Sequence, residues 1–178
     1  VMRGLINDER GPKVIALENV CGTLTSHRGA DFRAICQTFS DAGYRYGALV
    51  IDAELFLPHS RPRLFVVGVR KDIEIDPCLL SPGATAPFHT RGLQNAYARI
   101  SEDAKADWVW WNLPSPPLRT TTFSDIVEDH PTDVKWHTPA ETNRLLASMS
   151  PVNVAKVEAA KRAERRVVGG VYQRTRPD

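Results

Sequence analysis

The sequence predicts an α/β fold. Three short apolar runs, residues 14–17, 47–51 and 64–69, have the length and the polar boundaries of buried strands. Between the first two runs, residues 31–43 repeat apolar side chains with the spacing of an amphipathic helix. The order strand, helix, strand, strand is that of an α/β sheet.

The first run contains no polar side chain, which is typical of a strand buried on both faces. It ends at Glu18 and Asn19, so a carboxylate and an amide follow the apolar run directly. Because the carboxyl ends of strands in an open α/β sheet face the ligand crevice, we expect Glu18 to be partly buried and to meet a substrate there. The alternative is a glutamate that simply turns to solvent at a strand end.

The predicted helix carries its apolar side chains at i, i+3, i+4 and i+7, namely Phe32, Ile35, Cys36 and Phe39. Gly43 is placed to end this helix, and Cys36 is expected to fill the core. The strand over residues 47–51 follows, and the strand over residues 64–69 ends at Arg70.

Prolines become frequent after Asp76, and we place a domain boundary near residue 85, which divides the chain into residues 1–85 and 86–178. Three tryptophans in the second part are predicted to form a local core: Trp108, Trp110 and Trp111. The incomplete patterns at both ends of the chain lead us to expect further sequence on either side.

Two helices are predicted in the second part by their capping residues. Thr138 and Glu141 have the spacing of a capping box, which predicts a helix to about Ser148. A second helix is predicted from Ser150 to about Arg165, and residues 167–176 are predicted to form a strand or a hairpin.

The composition excludes several classes of protein. The chain has 178 residues, of which 42% are hydrophobic and 25% charged, as in soluble globular proteins. No apolar run approaches the roughly 20 residues of a membrane span. The three cysteines are odd in number and lack a C-x-x-C spacing, and the histidines lack ligand spacing. We therefore expect a reduced, cytoplasmic setting with no disulfide framework and no metal.

The formal net charge of +2 is unevenly distributed. Residues 151–178 hold seven lysines and arginines against three acidic residues. A basic end is compatible with contact to phosphates, and a solvated helix face is the alternative. The charge alone does not decide the function.

A second group of polar side chains precedes the strand over residues 64–69: His59, Ser60, Arg61 and Arg63. Arg61 and Arg63 lie at i and i+2, so in a strand they project to the same face. A guanidinium group binds a phosphate or a base carbonyl through two parallel N–H donors. The alternative is a basic loop that caps the sheet.

These two groups follow each other as in the DNA (cytosine-5) methyltransferases, which the sequence resembles. Residues 12–20 resemble the Glu-Asn-Val motif of that family, and residues 59–65 resemble its Gln-x-Arg-x-Arg motif. Residues 50–58 resemble the run into the second motif, and residues 170–177 resemble a segment near the end of the target-recognition region.

The resemblance implies a particular architecture for the two predicted domains. Residues 1–85 would be the second half of a Rossmann-like, S-adenosylmethionine-dependent methyltransferase sheet. Residues 86–178 would be an incomplete part of an irregular target-recognition domain.

The resemblance also implies a chemistry. A cysteine thiolate adds to C6 of a cytosine flipped out of double-stranded DNA, and C5 then takes a methyl group from S-adenosylmethionine. Glu18 would hydrogen-bond or protonate N3 and bind the exocyclic amine, while Arg61 and Arg63 would stabilise the negative charge on the ring. Further substrate-binding residues would be Asn19, His59 and Ser60.

The sequence departs from the family pattern in two respects. His59 stands where the family has Gln, although an imidazole can still donate one hydrogen bond. The family's Gly-rich cofactor loop and Pro-Cys nucleophile are absent from residues 1–17, so the chain alone is expected to have no cofactor-binding residues and to be inactive. Cys78 lacks the surroundings of that nucleophile, and Cys21 is expected to be a packing residue.

The candidate DNA-binding residues of the second part are Arg119, Arg174 and Arg176. The complete enzyme is expected to be a monomer that acts on double-stranded DNA, without a membrane or a metal. Two alternatives remain open, a tRNA cytosine-5 methyltransferase of the same fold and a non-catalytic nucleic-acid-binding remnant.

Overall fold

The structure is a computed structural model and describes residues 11–165 and 167–169. Its strands are β1 (Val14–Val20), β2 (Tyr44–Asp52), β3 (Pro62–Arg70), β4 (Leu80–Ser81) and β5 (Trp110–Trp111). Its α-helices are α1 (Ala30–Asp41), α2 (Arg91–Tyr97), α3 (Glu102–Ala106), α4 (Pro139–Ala147) and α5 (Pro151–Lys161). The chain divides after Val127 into two compact units.

A three-stranded sheet in the order β1-β3-β2 forms the centre of the first unit. Strand β3 runs antiparallel to both neighbours, so β1 and β2 run in the same direction on either side of it. Helix α1 connects β1 to β2, as the crossover between two parallel strands requires. The carboxyl ends of β1 and β2 and the start of β3 therefore lie at the same end of the sheet. This mixed α/β arrangement confirms the predicted fold class at the level of strands and helices.

The three predicted strands and the helix between the first two are confirmed. The strands are longer than the apolar runs because backbone pairing continues through polar residues. Val20 pairs with Arg63, and Asp52 pairs with Pro62. Glu18 therefore lies within β1, whereas the apolar run predicted that the strand ends before it.

Alternate side chains of β2 and β3 face two different cores. Large side chains on one face pack against α1, α2 and the segment after α3, and this core includes Tyr44, Tyr46, Leu64, Val66, Phe32, Cys36, Leu93 and Trp108. The other face packs against Ile75, Phe88 and Trp111. Cys36 is fully buried, and both Trp108 and Trp111 are buried, which confirms their predicted places in a core.

Strand β1 is not buried as its apolar run predicts. Val14 is 55% exposed and Leu17 is 36% exposed. The reason is that β1 lies at an edge of the sheet and pairs only with β3 within the described residues. A continuous apolar run indicates strand structure, but it does not reveal the position of that strand in a sheet.

The second unit begins at Glu128 and contains the two helices that the capping residues predict. The hydroxyl of Thr138 accepts a hydrogen bond from the N–H of Glu141 at 3.3 Å, and the Glu141 carboxylate accepts one from the N–H of Thr138 at 2.8 Å. This capping box begins α4, and the Ser150 side chain caps α5. The tail predicted as a strand or hairpin falls largely outside the described residues.

The division after Val127 reflects packing. The predicted boundary near residue 85, between a catalytic and a target-recognition region, stays a prediction. In the part of the chain that the structure describes, no helix is both long and apolar enough to cross a membrane.

Candidate functional site

The candidate site lies at the end of the central sheet where β1 and β2 end and β3 begins. Val20 is directly opposite Arg63, and Glu18 is two residues before Val20. Side chains two residues apart in a strand share a face, so Glu18 and Arg63 are diagonal neighbours. Arg63 Nε lies 2.9 Å from Glu18 Oε1. The structure thus brings the predicted carboxylate and one predicted guanidinium into direct contact.

The two members of this ion pair differ in exposure. The Arg63 side chain is 22% exposed, whereas the Glu18 side chain is 54% exposed. Arg63 Nη1 also donates a hydrogen bond to the carbonyl oxygen of Pro62 at 3.0 Å, which holds the guanidinium against its own strand. Glu18 is more exposed than a residue at the end of a buried strand, because β1 is an edge strand. Its carboxylate is accordingly accessible to a ligand.

Arg61 and Asn19 lie close in sequence to the pair but do not join it. Arg61 is an exposed residue directly before β3, and its side chain forms no ion pair with any residue that the structure describes. Asn19 accepts a hydrogen bond from the N–H of Val20 at 2.8 Å, and strand alternation places it on the face opposite Glu18. The expectation that both arginines act on one ligand stays a prediction.

The loop between β2 and β3 is closed by Asp52, a residue that the motifs did not single out. Asp52 Oδ1 accepts hydrogen bonds from the N–H groups of Glu54 at 3.0 Å and Arg61 at 2.6 Å, and Oδ2 accepts one from the Ser60 hydroxyl at 3.1 Å. These bonds, above all that from Glu54, hold the pKa of Asp52 below its usual range. An aspartate between a strand and a turn is the sequence feature that could have indicated this role.

His59 and Ser60 are exposed on the same loop. They lie beside an open pocket of about 290 Å³ whose further lining residues are Glu54, Pro58, Arg119, Thr122 and Phe123. Arg119 Nε donates a hydrogen bond to the carbonyl oxygen of Glu54 at 3.0 Å, and Nη1 donates to the carbonyl of Thr121. The structure therefore places Arg119 next to the second motif. Arg174 and Arg176 lie outside the described residues.

None of the three cysteines has the lowered pKa of an activated thiol. Burial raises the pKa of Cys36 to about 12. Partial burial raises the pKa of Cys21, with Arg63 acting in the opposite direction. The hydrogen bond with Asp76 raises the pKa of Cys78. Because the thiolate is the nucleophilic form, these shifts support the interpretation that Cys21 and Cys78 are not nucleophiles.

Within residues 11–165 and 167–169, no group of three or more His, Cys, Asp or Glu side chains is placed to hold a metal ion.

A mixed α/β sheet thus ends in a paired glutamate and arginine, beside a loop that carries a second arginine. The chain belongs to the C-5 cytosine-specific DNA methylase family, whose family model matches residues 5–174.

Several methyltransferases are similar to the chain. The type II methyltransferase M.BspRI of Lysinibacillus sphaericus is 39% identical over 146 residues, which are 80% of this chain and 32% of the relative. An orphan methyltransferase of Bacillus phage rho11s is 31% identical over 92% of this chain and 30% of the relative. The orphan methyltransferase M.SPRI of Bacillus phage SPR is 26% identical over 80% of this chain and 31% of the relative.

The chain spans about a third of the length of these relatives. No solved structure matches the chain significantly.

Proposed function

We propose that this chain supplies the base-binding part of a DNA cytosine-5 methyltransferase. The observation that carries the proposal is the 2.9 Å contact between Glu18 and Arg63, because it joins the two motifs at one point of the sheet. A cytosine presents a ring nitrogen, an exocyclic amine and a carbonyl oxygen along one edge. A carboxylate beside a guanidinium offers an acceptor or acid and a donor to such an edge.

Glu18 would bind the exocyclic amine and hydrogen-bond or protonate N3, and Arg63 would donate to the O2 carbonyl. Charge develops on the ring when a nucleophile adds at C6, so donors already in place stabilise the transition state more than the ground state. The base must leave the duplex to reach them, because the ring edge and C6 are inaccessible within the stack. Arg61, His59, Ser60 and Asn19 are proposed to hold the flipped nucleotide or its neighbours.

The wider assignments are part of the same proposal. Residues 1–85 would belong to the second half of a Rossmann-like catalytic domain, and residues 86–178 to a target-recognition region. Double-stranded DNA would be the partner of a monomeric, cytoplasmic enzyme. Arg119 would contact the DNA from a place beside the second motif, and Arg174 and Arg176 would contact it elsewhere.

The family uses S-adenosylmethionine as the methyl donor. The pocket beside His59 and Arg119 is open and lined mostly by polar side chains, so it does not fit an adenosyl group, which needs apolar and aromatic contacts. We therefore assign none of the residues that line this pocket to the cofactor.

The test is methyl transfer by the complete enzyme from labelled S-adenosylmethionine to duplex DNA and, in parallel, to tRNA. We expect label at C5 of cytosine in the duplex and none in tRNA. Label in tRNA alone would refute the DNA assignment in favour of an RNA-modifying enzyme of the same fold. Nucleic-acid binding without transfer to either substrate would favour a non-catalytic remnant.

A further inference from the structure

One side chain, that of Asp52, is hydrogen-bonded to both ends of the loop between β2 and β3. Asp52 is the last residue of β2 and pairs with Pro62, the first residue of β3. The segment between them carries His59, Ser60 and Arg61 and leads directly into Arg63. We propose that Asp52 is a positioning residue, whose carboxylate holds both ends of this loop and thereby sets Arg61 and Arg63 at the base-binding site. The proposal rests on the function proposed above.

The geometry joins the start of the loop to its end through a single carboxylate. One oxygen, Oδ1, accepts from the N–H of Glu54 at 3.0 Å and from the N–H of Arg61 at 2.6 Å. The other oxygen accepts from the Ser60 hydroxyl at 3.1 Å. Besides these bonds, the N–H of Ala53 donates to the carbonyl of Arg61 at 3.3 Å. The shortest of these contacts is thus made by the backbone of Arg61 itself.

Packing holds this loop at few points. Leu55 packs against the core that includes Trp111, whereas Phe56 and Leu57 are 54% and 59% exposed. A segment with few packed side chains must offset much of the conformational entropy of its backbone through hydrogen bonds. Asp52 accepts three of these, and Arg119 adds one by donating to the carbonyl of Glu54 at 3.0 Å. The backbone bonds within the loop, from Phe56 and Leu57 to the carbonyl of Ala53, order its first turn but do not reach Arg61.

The Asp52 carboxylate is used for hydrogen bonds and not for an ion pair. Among the residues that the structure describes, Asp52 forms an ion pair with neither Arg61 nor Arg63, and the ion pair of Arg63 is with Glu18. Asp52 therefore acts on the arginines through their backbone. A displacement of a catalytic group by about 1 Å can cost on the order of 100-fold in rate, which is the scale of effect expected when this anchor is lost.

Two variants distinguish the hydrogen bonds of Asp52 from its negative charge. Asp52→Asn keeps an oxygen that accepts from both N–H groups, and its amide can donate to Ser60 Oγ. Asp52→Ala removes both oxygens and with them all three hydrogen bonds. In the complete enzyme we expect kcat/KM for methylation of duplex DNA to fall on the order of 100-fold in Asp52→Ala. In Asp52→Asn we expect it to stay within about threefold of wild type.

A kcat/KM near that of wild type in Asp52→Asn shows that the hydrogen bonds matter, because a role of the negative charge would lower kcat/KM in both variants. Wild-type kcat/KM in Asp52→Ala would overturn the proposal. An equal loss in both variants would also overturn it, because the hydrogen-bond geometry would then not be what matters.

A second measurement does not depend on activity. Amide hydrogen exchange on the full chain should show protection of Glu54 and Arg61 in wild type and in Asp52→Asn, and loss of both in Asp52→Ala. The amide of Val66, within the β2–β3 ladder, should stay protected in all three proteins. Unchanged protection of Arg61 in Asp52→Ala overturns the proposal. Loss at Val66 as well also overturns it, because Asp52 would then hold the whole sheet.

The exchange measurement keeps this inference distinct from the proposed function. A complete enzyme that transfers no methyl group to DNA would refute the function and would leave the exchange pattern to decide the role of Asp52.

Discussion

Glu18 and Arg63 lie on strands that are far apart in the chain, yet their side chains meet at 2.9 Å because β1 and β3 are paired with Val20 opposite Arg63. The contact is diagonal across one face of the sheet, so it depends on the register of the two strands as much as on the two side chains. An acid and a fork of N–H donors are thereby offered together to one ligand.

Replacing the acid should separate catalysis from binding. In the complete enzyme we expect Glu18→Gln to reduce turnover about 10²–10⁴-fold, because the amide cannot give or take the proton at N3. DNA affinity should change little, since most of it comes from phosphate contacts. Single-turnover methyl transfer and fluorescence anisotropy with a labelled duplex measure the two quantities. The matched control is Glu74→Gln, at another exposed glutamate, and equal turnover in both variants would refute the role of Glu18.

The guanidinium should matter for its shape as well as its charge. We expect Arg63→Lys to keep the positive charge but to lose the planar pair of donors, and Arg63→Ala to lose both. A fall in kcat/KM of roughly 100-fold is expected for Arg63→Ala, the scale of losing one preorganised donor, with Arg63→Lys between it and wild type. Arg99→Ala, at an exposed arginine outside the sheet, serves as control. Activity of Arg63→Ala at the level of Arg99→Ala would contradict the assignment.

His89 should make the fold sensitive to mild acid. Its side chain is buried at 3% exposure, its Nδ1 accepts a hydrogen bond from the N–H of Thr85 at 2.8 Å, and burial lowers its pKa. Below pH about 6.5 the unfolded chain gains a proton at this histidine that the folded chain resists. The free energy of unfolding should therefore fall as the pH drops below about 6.5, by at most about 1.4 kcal/mol per pH unit from this group.

Urea unfolding between pH 8 and pH 5 measures this dependence, and the His89→Gln variant should weaken it. His27 works in the opposite direction, because its hydrogen bond with Asp31 raises its pKa and favours the folded state as the pH falls. His27→Gln is therefore the matched control and should not flatten the profile. The same slope in wild type and His89→Gln would contradict the prediction.

Gly47 should tolerate no side chain. A Cβ atom built there would lie 2.0 Å from the carbonyl oxygen of Val109 and 2.9 Å from Nε1 of the buried Trp111. Because a backbone atom is the obstacle, we expect Gly47→Ala to destabilise the chain by at least about 1–3 kcal/mol, the usual cost of overpacking. At Gly83 a Cβ would meet nothing within 4 Å, so Gly83→Ala is the control. The urea midpoints of Gly47→Ala and Gly83→Ala measure the two stabilities. Equal midpoints would contradict the prediction, because the segment around Val109 would then move aside to admit the new side chain.

The elements of the sheet were largely predictable from local patterns. In α1, β2 and β3 the same burial against the core determines the sequence pattern and stabilises the element. The pattern therefore predicts the structure. The contact between Glu18 and Arg63 was expected from the order of the Glu-Asn-Val and Gln-x-Arg-x-Arg motifs that the sequence resembles. The exposure of β1 was not expected, because an edge strand and a central strand can carry the same residues.

The role of Asp52 could not be predicted from the motifs. Its three partners lie two, eight and nine residues away, in a loop whose path the sequence does not specify. An aspartate at a strand end is common, and it becomes an anchor only when both ends of a loop return to it.

The contact between Glu18 and Arg63 depends on buried residues that take no part in it. Leu64 and Val66 are buried in the core beneath β3 and lock that strand against its neighbours. A shift of the β3 register by a single residue would turn Arg63 to the opposite face of the sheet and place a different side chain beside Glu18. Loss of activity can therefore arise from a purely hydrophobic replacement. Glu18 and Arg63 are then both still present in the sequence, but their side chains no longer meet.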